Sequence, residues 1–145
     1  MTPIHYLLLF LGLVALVWFE IRRSRRVTAR QLSNAFAGRE PLTPQQFYQR
    51  YYADSGIAPE IVLAIRRILE QELDTALPYL QPQDSFAGNL GFFFELDSMA
   101  DVALVLAIEE HFQISFTDQE AEATRTVADL IQGVANKLAT GQDKL

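Results

Sequence analysis

A chain of 145 residues holds one modest domain and an appendage, and its net charge of −6 is unevenly spread. Residues 1–40 carry six Arg against Glu20 and Glu40, while residues 41–145 carry six Lys or Arg against sixteen Asp or Glu. The acidic main part excludes nucleic-acid binding, which needs a basic face, and suits partners with basic docking patches. Cys is absent, which excludes a disulfide framework, a thiolate metal site and a thiol nucleophile. Any thiol chemistry must come from a cofactor.

From Ile4 to Phe19 the chain is apolar apart from His5 and Tyr6, and Ile21 extends the run past Glu20. At 1.5 Å per residue, 16–18 residues reach roughly 24–27 Å, a short bilayer span with Trp18 near its far end. No Lys or Arg precedes the run, and Arg22, Arg23, Arg25 and Arg26 follow it. That order disfavours a cleaved leader, which carries its positive charge in front. It predicts a single transmembrane helix over residues 1–21, with everything after Arg22 on the cytoplasmic side of the inner membrane. Residues 22–42 read as a basic juxtamembrane segment and linker.

Four helical segments are expected next. Thr43-Pro44-Gln45-Gln46 pairs a capping residue with Pro at the first helical position and Gln three residues on. The helix it opens, within an accessory segment 43–56, carries Phe47, Tyr48, Tyr51 and Tyr52 on one face by i, i+4 spacing. That stripe is a docking face against the domain core or a ligand platform. Pro59 opens a second helix with Ile61, Ile65, Ile68, Leu69 and Leu73 inward and Arg66, Arg67, Glu70 and Glu72 mostly outward. A long irregular link, roughly residues 74–97, leads to a third helix from Ser98 to Phe112. Gln113 to Phe116 is a brief extended piece. Thr117-Asp118-Gln119-Glu120 is a capping box for a short turn of helix. The last helix begins at Thr126 and shows one stripe of Val127, Leu130, Ile131, Val134 and Leu138. The fold class is all-α: a four-helix bundle over residues 57–140, preceded by the transmembrane and aromatic helices.

Three Asp-Ser pairs occur, at Ser55, Ser85 and Ser98. Ser55 ends a helix, where the dipole is wrong for a phosphate, and Ser85 lies inside the long link. Only Ser98 begins a helix, whose unpaired N–H groups and positive dipole end stabilise an attached phosphate. By itself such a serine is also an ordinary N-cap. Glu109 and Glu110 diverge by about 100° on a helix and do not form a catalytic acid pair. His111 has no second ligand at metal-binding spacing. No phosphate loop or nucleophile elbow is present, so no catalytic residue and no metal site are assigned.

Residues 59–138 resemble an acyl carrier protein. The likeness rests on Ser85-Phe86 in the loop, Leu96-Asp97-Ser98-Met99, Ile108-Glu109-Glu110-His111-Phe112, and Thr126-Val127 before the last helix. It implies a non-catalytic carrier with 4'-phosphopantetheine attached covalently to Ser98, Asp97 matching the preceding acid and Met99 the following hydrophobic residue. A phosphopantetheinyl transferase, with its own Mg²⁺, would supply the arm from coenzyme A. Cargo would be an acyl or aminoacyl thioester, passed between acyl-loading and acyl-transferring enzymes at the membrane. Asp101, Leu106, Glu109 and Glu110 would form the docking surface. Family acids are replaced by Ala100 and Ala103, and the glycine usual shortly before the serine is replaced, the nearest being Gly91. Docking is therefore expected to lean on apolar contact more than on charge. Two other readings use the same bundle, an unmodified membrane-anchored adaptor and a membrane-anchored structural subunit.

Overall fold

The computed structural model describes the backbone of residues 3–96 and 99–142 and the side chains of 4–19, 30–95 and 99–141. It divides into two compact units, residues 1–37 and 38–145. The first is a single helix, α1 (Pro3–Ala35), whose apolar side chains from Ile4 to Phe19 are exposed. Among the described residues no helix is long and apolar enough to cross a membrane. The transmembrane helix expected over residues 1–21 is helical from Pro3 on but without support as a span. Its apolar run from Ile4 to Phe19, interrupted by His5 and Tyr6, covers roughly 24 Å against a hydrocarbon core of roughly 30 Å. The helix also does not stop at the arginines, because nothing in residues 22–35 breaks it.

The second unit is all-helical, and no strand occurs among its described residues. The elements are α2 (Pro44–Tyr51), α3 (Pro59–Glu72), α4 (Gly91–Leu96), α5 (Ala100–Phe112), α6 (Asp118–Ala123) and α7 (Val127–Gln142). Of the piece expected to be extended at 113–116, Gln113 instead lies in the left-handed region at φ 54° and ends α5, and 114–116 form neither helix nor strand. An isolated antiparallel bridge joins Ser85 to Thr126.

α3 is the central post, packed against α2, α5 and α7. Its Val62, Ile65 and Leu69 are fully buried, each stabilising the fold by about 1.5–3 kcal/mol. α5 meets it with Ala100, Leu104 and Ile108, spaced one turn apart, and α7 with Val127, Ile131 and Val134 among its buried residues. Both capping boxes form: Thr43 accepts from the Gln46 N–H, and Thr117 from the Glu120 N–H. Glu120 also meets Lys137 of α7 at 2.9 Å. The Lys137 bond and the Thr117 N–H hold the Glu120 carboxyl below its ordinary range.

The aromatic stripe of α2 faces inward. Phe47 is fully buried and packs on Tyr51 and Tyr52, and the Tyr48 hydroxyl donates to the Ile57 carbonyl at 3.1 Å. This docking corrects one expectation about α3: Arg66 is buried rather than outward. α2 and its leading segment cover that face, so the guanidinium stacks over Phe47 at 5.5 Å and donates to the Leu42 carbonyl at 2.8 Å. Burial lowers the pKa of Arg66, with Glu70 opposing that shift.

Burial pushes the Tyr52 phenol up to about 12 from an ordinary 10.0. The neutral phenol is the buried form, so its stabilisation is complete below the ordinary phenol pKa and is lost as pH rises through about 12. Thermal melting between pH 10 and 12 should therefore fall more steeply for the native chain than for Tyr52→Phe.

Candidate functional site

α5 decides the site because its apolar residues outnumber what one packing face can absorb. From Ala100 to Ile108 only Asp101 is charged. Ala100, Leu104 and Ile108 enter the core, and Val102 and Leu106 stay exposed. Val105 lies between, half-buried, beside an open cavity of about 470 Å³. Leu104, Val105 and Ile108 form one wall, Phe86 and Phe94 another, and Phe116 and Leu130 contribute from beyond α5. Glu95 and Asp101 are the carboxylates in the lining. Phe86 and Phe94 meet edge to face at 5.9 Å, a geometry that rings favour.

The walls are positioned by hydrogen bonds. The Phe86 N–H donates to the Arg125 carbonyl and the Val127 N–H to the Asp84 carbonyl, each at 3.0 Å, fixing the loop to the start of α7. Phe116 is held because its N–H donates to the Glu109 carboxylate at 2.7 Å. Glu109 is therefore half-buried and engaged inside the protein.

Ser98 and Asp97 lie outside the described residues. Met99, just before α5, is 60 % exposed. Asp101 sits exposed in the first turn, its carboxylate accepting the Val102 N–H at 2.8 Å. Leu106 is 57 % exposed, and Glu110 is exposed near the far end of α5. Met99, Val102 and Leu106 follow i, i+3, i+7 spacing and make one apolar stripe, with Asp101 and Glu110 also exposed on the helix. His111 is exposed with its ring against Phe112. A shallow groove between helices that shelters the cargo is implied by the family resemblance; the sequence reading missed its aromatic wall, taking Phe86 and Phe92 to Phe94 only as packing for the link. Its signal was the Phe92-Phe93-Phe94 run, which forms the short helix α4 inside the link expected to be irregular. Only Phe93 of the three is buried.

A small helical bundle with an open apolar cavity beside a two-sided helix is the architecture of a carrier domain. Residues 63–134 match the family described as phosphopantetheine attachment site. The chain is 34% identical over 80 residues to an acyl carrier protein of Thermosynechococcus vestitus, covering 55% of this chain and 94% of that protein. It is 33% identical over 82 residues to acyl carrier protein 3 of Ralstonia nicotianae, covering 57% and 90% respectively. The chain belongs to the acyl carrier protein family, whose role is to carry thioesters rather than to catalyse. Its prosthetic group is a covalently attached 4'-phosphopantetheine.

The residues fit that group. Attachment needs a hydroxyl, and the cavity lining reaches Asp101, three residues after Ser98 in the chain. The Ser85 hydroxyl accepts the Gly88 N–H at 3.2 Å.

Truncating Ile108, which is fully buried, to Ala should cost about 2–4 kcal/mol in denaturant unfolding. Val105→Ala should cost less than about 1 kcal/mol, because its side chain borders open space rather than packed atoms.

Proposed function

We propose that Ser98 is the attachment point, and that the chain is a membrane-tethered carrier presenting acyl or aminoacyl thioesters to biosynthetic enzymes of the same membrane. The observation that carries this reading is the open apolar cavity, bounded by α5 directly after Ser98 in the chain. The arm supplies a terminal thiol that holds the cargo as a thioester. Ser98 offers the hydroxyl on which a phosphopantetheinyl transferase builds the phosphodiester, with Asp97 and Met99 flanking it. Leu104, Val105 and Ile108 offer the cargo an apolar wall out of water.

Partner enzymes dock on α5 through the Met99, Val102 and Leu106 stripe, with Asp101 and Glu110 supplying charge at its sides. Glu109 contributes less, its carboxylate being used by the Phe116 N–H. Tethering rests on the exposed apolar side chains of α1 from Ile4 to Phe19 and on the arginines at 22, 23, 25 and 26. On this reading the carrier unit lies on the cytoplasmic side of the inner membrane, the side that arginines after an apolar run favour. Holding the cargo at the bilayer raises its effective concentration for enzymes in that bilayer.

The test is intact mass of the full chain after incubation with coenzyme A, Mg²⁺ and a broad-specificity phosphopantetheinyl transferase. The expected result is a gain of one phosphopantetheine that Ser98→Ala abolishes. No gain, together with unmodified protein from the native host, would replace the carrier reading with the docking adaptor. Deleting residues 1–37 should leave the mass gain intact and move the protein from the membrane pellet to the supernatant.

A further inference from the structure

The chain ahead of the family-matched region reaches into the loop that walls the cavity. Asp84 is 2 % exposed and stands two residues before Phe86. Its carboxylate accepts Arg39 Nη1 at 2.8 and 2.9 Å, the Gln81 N–H at 2.8 Å and the Asn89 side-chain amide at 2.7 Å. Arg39 Nη1 also donates to the Tyr79 carbonyl at 3.1 Å. Asn89 in turn accepts the Ser85 N–H at 2.9 Å, closing a ring of bonds around the loop. Arg39 lies well outside the matched residues 63–134, so the cation of this clamp comes from the segment ahead of the family-matched region.

A carboxylate this deep in a protein is stable only when donors surround it. Removing Arg39 leaves the donors from within the loop, Gln81 and Asn89, and takes away its fastening to the segment before α2. Local opening of residues 81–90 then becomes easier, because less of the structure has to come apart with it. Phe86 is carried by that loop and bounds the cavity, so the clamp adds to the backbone bonds to residues 125–128 that hold it.

We propose that Arg39, acting through Asp84, is a positioning residue for the cargo cavity: it fixes the Phe86 wall and so sets how well an acyl chain is sheltered from solvent. The inference rests on the carrier reading above. It is separate from fold stability, since it concerns long cargo and not short.

The test uses the full-length protein, phosphopantetheinylated and loaded with either an acetyl or an octanoyl group. Hydroxylamine attacks the thioester carbonyl, breaks the carbon–sulfur bond and frees the thiol, and intact mass follows the loss at a temperature well below each protein's melting point. In the native chain the acetyl group, which buries little apolar surface, should be cleaved faster than the octanoyl group. Arg39→Ala should reduce that rate ratio by about threefold or more, while Arg39→Lys, which keeps a cation, retains most of it. Asp84→Asn provides the second reading where Arg39→Ala fails to fold, and the ratio should fall there too.

A native ratio above one that is unchanged in the variants, even with a lower melting point, overturns the inference and leaves the carrier reading standing. A native ratio of one overturns the sheltering of cargo and the inference together. A native chain that takes no phosphopantetheine overturns the carrier reading itself.

Discussion

The carrier unit is organised by the burial of α3. Val62, Ile65 and Leu69 leave no solvent-facing surface, and α2, α5 and α7 each pack against the helix that bears them. Such burial is the main favourable term in a domain this small, where little surface is available to hide. Once α3 has taken Ala100, Leu104 and Ile108, the remaining apolar residues of α5 have no core left to enter. Of these, Val105 borders the cavity beside Leu104 and Ile108, while Val102 and Leu106 face water. The functional surface is thus a consequence of packing: α5 carries more apolar surface than α3 can cover.

The link between α3 and α5 shows how a long connection is kept in place without a sheet. A loop of this length would ordinarily be mobile or functional. Here the Glu70 carboxylate accepts the Leu77 N–H at 2.8 Å, and the Pro78 carbonyl accepts the Leu42 N–H at 2.7 Å. Leu77, Leu80 and Leu90 are buried beneath it. Asp84 gathers the backbone and side-chain donors around it, and the bridge from Ser85 to Thr126 aligns the loop with α7. The rigid loop then presents Phe86 to Phe94, and α4 supplies the second ring.

Charge in this domain is divided between structure and surface. Glu109 holds Phe116, and Glu120 caps α6 while pairing with Lys137, whose ammonium also lies 5.4 Å from the centre of the Phe116 ring. Those acids organise the far wall of the cavity. Asp101 and Glu110 stay exposed on α5, beside the apolar stripe of Met99, Val102 and Leu106. In the proposed docking role, such a surface would select partners through shape and dryness, with charge setting approach and register.

Much of this was legible in the sequence because helix signals are local. Pro59, the two capping boxes and the stripes of α3 and α7 each depend on residues within a turn or two of one another. The aromatic face of α2 was readable as a stripe, but its two possible uses were separated only by tertiary packing, which buried Phe47 against α3. Arg66 shows the limit: a cation on a helix reads as outward until another element covers it. The cavity, the Arg39–Asp84 clamp and the inward use of Glu109 join residues far apart in the chain or separated by a turn of unpredictable path. By itself the sequence determined most of the helical segments, α2, α3, α5, α6 and α7, but neither α4 nor the run of α1 past the arginines. Only the tertiary structure decided which apolar residues stay uncovered, because that depends on how much surface neighbouring helices can bury.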